Sequence, residues 1–105
     1  MAILQRLPVD GALLDAFCQR WRITKLELFG SMVADPSNAR DVDLLVTFVP
    51  DARWGLFEHE RMERELADLL GRKVDLVSRR AVESGGNALR RNAIRAGAVP
   101  VYVSG

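Results

Sequence analysis

Apolar positions along the 105-residue chain change their period several times, and each change marks an element. Leu13, Leu14, Phe17 and Trp21 recur at helical spacing, with Asp10 placed to cap the run and Val9 to staple against Leu14. The pattern predicts a first helix ending near Trp21, its apolar stripe in the core. From Ile23 to Phe29 the period drops to two, with Leu26 and Leu28 on one face of a strand and Lys25 and Glu27 on the other. Gly30 then permits a turn, Ser31 is placed to cap a short helix over Met32 to Ala34, and Asp35-Pro36-Ser37-Asn38 stops it.

Alternation resumes after Arg40. Val42, Leu44, Val46 and Phe48 form one face of a second strand, and Asp41, Asp43, Leu45 and Thr47 form the other, until Pro50-Asp51 closes it. Trp54 to Leu70 reads as a long helix with Leu56, Phe57, Leu66, Leu69 and Leu70 inward and a densely charged outer face, ended by Gly71. Lys73 to Val77 is a third strand. A polar connection follows from Ser78 to Asn87, with a helical turn around Ala81 and Val82. Leu89 to Ala96 is a last short helix, and Val99 to Val103 is a closing strand, expected at the sheet edge because Pro100 lacks a donor for the ladder. Strands alternating with helices over this length give an α/β (α+β) fold in one domain, residues 1–105.

Composition narrows the functional classes. With one cysteine, Cys18, neither an internal disulfide nor a multi-cysteine zinc site is available. Cys18 lies in the first helical stripe and reads as a small core residue; the lone histidine, His59, sits in a charged helical run and reads as exposed. No leader-like segment and no long apolar run occur, so no membrane association is expected and a cytoplasmic location is the default. Charge is unevenly spread: residues 1–71 carry 8 Lys/Arg against 12 Asp/Glu, and residues 72–105 carry 7 against 2. A basic tail of this kind suits a triphosphate, an RNA or an acidic partner, or is simply a solvated helix face.

The chemistry is concentrated in three acids and a turn. Asp41 and Asp43, two residues apart on a strand, share a face at roughly 7 Å along the chain. Like charges so placed need a reason, and hard carboxylate oxygens suit Mg²⁺. Asp75 sits between Val74 and Leu76 on the third strand, an inward-facing acid on a neighbouring strand about 4.8 Å away. Three such acids can hold a pair of metal ions about 3.5–4 Å apart, the arrangement that clamps attacking and leaving oxygens in phosphoryl displacement. A helix start after Gly30-Ser31 offers backbone N–H groups to phosphate oxygens.

Gly30-Ser31, nine further residues, Asp41-Val42-Asp43 and then Asp75 on a later strand resemble the signature of the polymerase-beta-type nucleotidyltransferase superfamily. In size and order of parts the chain resembles its minimal nucleotidyltransferase (MNT) members, antitoxins encoded beside HEPN-domain toxins. It departs from them at Ala34 and Asp35, where they carry Arg-Gly. The resemblance implies a mixed sheet of about four strands flanked by helices. It also implies transfer of a nucleoside monophosphate from an NTP, ATP in the first instance, to a hydroxyl, with Asp41, Asp43 and Asp75 as catalytic metal ligands for two Mg²⁺ ions and Gly30 and Ser31 on the phosphates. The acceptor it implies is a tyrosine of a HEPN toxin in a hetero-oligomer. Two alternatives stay open: a weakly catalytic antitoxin acting by binding alone, and a nucleotidyltransferase modifying RNA ends.

Overall fold

The structure, a computed structural model, describes residues 2–3, 9–30, 33, 41–84, 91–92, 94 and 97–104. Its elements are β1 (Ala2–Ile3), α1 (Gly11–Arg20), β2 (Ile23–Phe29), β3 (Val42–Phe48), α2 (Leu56–Leu70), β4 (Val74–Ser78), α3 (Arg79–Ser84) and β5 (Val99–Val103). The strands form one sheet in the order β1-β5-β2-β3-β4. All neighbours are antiparallel except β3 and β4, which α2 joins as a parallel crossover. This is the mixed α/β sheet that the periodicity and the resemblance imply, with the two-residue β1 as an additional fifth strand.

β5 is not at the edge. It lies between β1 and β2, and its ladder with β2 shifts register between Leu26 and Glu27, beside the pairing of Glu27 with Pro100. The irregularity lets a residue without an N–H sit inside a sheet.

One face of the sheet carries the main core. Leu26 and Leu28 of β2, Val42, Leu44 and Val46 of β3 and Val74 and Leu76 of β4 pack against Leu14 and Phe17 of α1 and Met62, Leu66 and Leu70 of α2. The helix ends follow local chemistry. Asp10 accepts the Ala12 N–H at 2.7 Å, and at the far end of α2 Gly71 takes a left-handed φ of 67°. Trp21 closes α1 onto α2, its indole donating to Glu65 at 2.7 Å, and meets the Trp54 ring edge-on at 5.1 Å. The Trp54 indole in turn donates to the Trp21 carbonyl at 2.9 Å, pinning the loop that follows β3.

Cys18 is a core residue, as its place in the helical stripe predicts. Burial, with the Asp15 charge adding to it, pushes its thiol up to about 12. A thiol held protonated in an apolar surround is a poor nucleophile. Leu56 and Phe57, expected inward, are 76% and 82% exposed. The buried stripe of α2 is Met62, Leu66 and Leu70, and the two apolar residues that open it stay in solvent; helical period alone does not tell where a helix first meets a sheet.

Candidate active site

The second face of the sheet holds the polar chemistry. Register places Phe29 of β2 opposite Asp43 of β3, and Asp43 opposite Asp75 of β4. The next residues on this face, Leu45 and Val77, are also paired and with Phe29 make a small buried cluster against which Val82, Ile94 and Ala98 pack. The two acids therefore stand side by side on adjacent parallel strands, on an apolar floor, at the ends where the strands begin. Both are half-buried. Parallel strands about 4.8 Å apart keep such carboxylates within reach of one small cation.

Gly30 is built into this arrangement. It has a φ of 74°, in the region that disfavours side chains, and its carbonyl accepts the Val33 N–H at 3.1 Å to close the turn after β2. A Cβ placed on Gly30 would collide with the Asp43 carboxylate oxygen and come within 3.2 Å of its carbon. The glycine thus serves twice: it makes the turn, and it leaves room for the carboxylate lying against it.

Asp41, the other predicted acid, is exposed and stands one residue before β3. Among the described residues no group of three or more His, Cys, Asp or Glu side chains is gathered closely enough to hold a metal ion. The structure thus brings Asp43 and Asp75 together with Gly30 and leaves Asp41 outside that pair. Val33, within the short helix proposed over Met32 to Ala34, is helical, while Ser31, Met32, the departure at Ala34 and Asp35, and most of the last helix from Leu89 to Ala96 lie outside the described residues. The paired oxygen donors fit a hard divalent cation in chemistry, and the Cβ-free turn lets one of them, Asp43, lie close against the backbone.

Two further features escape the sequence pattern. Glu27, placed by alternation on the face opposite Leu26 and Leu28, is 5% exposed. Its carboxylate takes a 2.5 Å hydrogen bond from Arg79, whose Nε also donates to the Thr47 hydroxyl at 3.3 Å. The pair anchors the start of α3 over the acid-bearing face, and Lys25, two residues before Glu27 on the same strand, adds a second cation at 3.7 Å. His59, expected exposed, is half-buried against β4, and Glu63 joins it there.

A cleft of about 550 Å³ opens at the other end of β3, lined among others by Thr47, Pro50, Trp54, His59 and Arg79. Its size suits a ligand, but none of the predicted acids lines it. The acid-bearing site and this cleft are different places.

A family model described as a nucleotidyltransferase domain matches residues 11–98. No curated protein matches the chain. Among solved structures, the chain is similar to a protein described as a minimal nucleotidyltransferase, at 33% identity and a TM-score of 0.59, covering 85% of this chain and 86% of that one. It is also similar in fold to a toxin–antitoxin crystal structure with AMP-PNP, at 16% identity and a TM-score of 0.66, covering 96% of this chain and 75% of that one. A third match is a chain of a complex between tri-AMPylated Shewanella oneidensis HEPN toxin and MNT antitoxin, at 17% identity and a TM-score of 0.61, covering 89% and 69%.

Proposed function

Because this chain belongs to the nucleotidyltransferase domain family, we propose that it is a Mg²⁺-dependent adenylyltransferase antitoxin, moving AMP from ATP to a tyrosine hydroxyl of a HEPN toxin. The observation that carries the reading is the pairing of Asp43 with Asp75 on adjacent parallel strands, beside a turn whose glycine leaves room for the first of them. The AMP-PNP-bound and AMPylated complexes among the structures of similar fold support the choice of donor and acceptor. The same complexes support a hetero-oligomeric assembly, which we place in the cytoplasm.

In this reaction the acceptor oxygen forms a bond to the α-phosphorus, the bond from that phosphorus to the bridging oxygen breaks, and pyrophosphate leaves with the electron pair. Asp43 and Asp75, with Asp41 joining them, would hold the ions, and Asp75 would accept the hydroxyl proton. Gly30 and Ser31 would present backbone N–H groups to the phosphates. Bound Mg²⁺ supplies neutralisation of phosphate charge along the displacement. Phe29, Leu45 and Val77 give the acids a dry floor, where charge acts more strongly than in bulk water.

The test is incubation of the purified chain with α-labelled ATP, Mg²⁺, a HEPN toxin encoded beside it, and bulk tRNA. Label on a toxin tyrosine supports the proposal. Label on tRNA replaces the acceptor with RNA, and toxin neutralisation without any label replaces the enzyme with a binding-only antitoxin.

A further inference from the structure

β4 is an edge strand, yet part of its outer edge is closed. Backbone groups of successive strand residues aim at opposite edges, and the Lys73 carbonyl, accepting the Val42 N–H at 2.9 Å, aims at β3. Leu76, three residues on, therefore aims outward, where in an ordinary edge strand its N–H and C=O would meet water. Here both are taken by α2. The Leu76 N–H donates to Glu63 Oε2 at 2.8 Å, and His59 Nε2 donates to the Leu76 carbonyl at 2.7 Å. One helical turn separates the two side chains, so together they imitate one residue of a neighbouring strand.

The position of this clip matters more than its existence. The Leu76 N–H belongs to the peptide that follows Asp75, whose plane sets the backbone angle from which the Asp75 side chain departs. That peptide is held on its inner side by the ladder to β3 and on its outer side by a carboxylate, a charge-assisted bond stronger than one to water. We infer that Glu63 and His59 are positioning residues for Asp75, fixing its carboxylate against Asp43 in the ion-binding geometry that the proposed function requires. The inference rests on reading Asp43 and Asp75 as ion ligands. It assigns α2 a role that burial of Met62, Leu66 and Leu70 does not by itself supply.

Mn²⁺ binding to the purified chain, read by electron paramagnetic resonance without any turnover, tests it together with amide exchange at Leu76. Glu63→Ala should speed Leu76 exchange and weaken Mn²⁺ about tenfold, the size typical of outer-sphere supports of metal ligands. Glu63→Gln, whose amide oxygen still accepts the Leu76 N–H, should recover most of the affinity. His59→Ala, releasing only the carbonyl, should weaken Mn²⁺ about threefold and provides the second variant should Glu63→Ala fail to fold. Glu65→Ala, on the same helix but bonded to Arg20 and Trp21, should lose stability and bind Mn²⁺ like the native chain. If Glu63→Ala or His59→Ala loosens β4 while Mn²⁺ affinity stays native and Asp75→Asn still lowers it, the positioning role is overturned and the ion site stands. If Asp75→Asn itself leaves Mn²⁺ affinity unchanged, the ion-ligand reading falls and this inference with it.

Discussion

Along β2 and β3, Leu26, Leu28, Leu44 and Val46 face the two long helices, while their immediate neighbours Glu27, Phe29, Asp43 and Leu45 face the other way. The first face is predominantly apolar among the described residues and is sealed by Leu14, Phe17, Met62 and Leu66. Among the described residues the second has only Phe29, Leu45 and Val77 as fully apolar buried contacts, flanked at one end by Asp43 and Asp75 and at the other by the Glu27–Arg79 pair. The same backbone thus supports a face that holds the molecule together and a face that tolerates charge because the first supplies the stability. The paired acids sit where the hydrophobic contribution is smallest, since two adjacent carboxylates would be intolerable in the larger core.

The contrast between the faces is sharpest at neighbouring positions. Leu44→Ala, on the sealed face, should lower stability by about 2–5 kcal/mol in chemical denaturation. Asp43→Asn, one residue away, should leave the denaturation midpoint near native and reduce transfer on the order of a thousandfold in the labelling assay. Comparable losses of both quantities in both variants would erase the distinction between the faces.

A smaller effect separates two glycines of the same backbone hand. Gly30→Ala, at φ 74° against the Asp43 carboxylate, should cost about 1–2 kcal/mol and most of the transfer activity. Gly71→Ala, at φ 67° with nothing within 4 Å of the new Cβ, should cost about 1 kcal/mol and leave transfer intact. Equal activities would show that Gly30 is only a turn residue.

The sealed face also has a pH signature. With the Cys18 thiol raised from 9.0 to about 12, the unfolded chain loses that proton first as pH rises. Stability should therefore fall between these values, by up to about 1.4 kcal/mol per pH unit, and Cys18→Ala should remove this part of the slope when denaturation is compared at pH 8 and 10.5. The smallest change is expected at Phe57→Ser, within about 0.5 kcal/mol of native, because that ring lies in solvent.

Much of this architecture is written in local pattern. β2, β3 and β5 fall where alternation puts them, α1 begins at its Asp10 cap, and the parity that sets Asp43 and Asp75 opposite the core face follows from residue order alone. What periodicity lacks is neighbourhood. Alternation puts Glu27 beside Lys25 but does not show that Arg79, 52 positions on, reaches it in the buried interior. His59 looks like part of a charged helical surface and instead meets a strand carbonyl, because the helix crosses an edge whose location depends on strand order. Pro100 signals an edge by its missing N–H, but a register shift with β2 is an equally good accommodation. Leu56 and Phe57 carry the character of core residues on a turn that the core does not reach.

The pairing of Trp21 with Trp54 has a practical consequence. These are the only two indoles in the chain, and they are coupled to each other at the junction of α1 with the loop before α2. Ultraviolet-excited emission consequently watches that junction, brightening or reddening as the helices separate. Events among the carboxylates at the far end of β3 take place in a spectroscopically dark region, and following them optically requires a fluorophore carried in by the nucleotide.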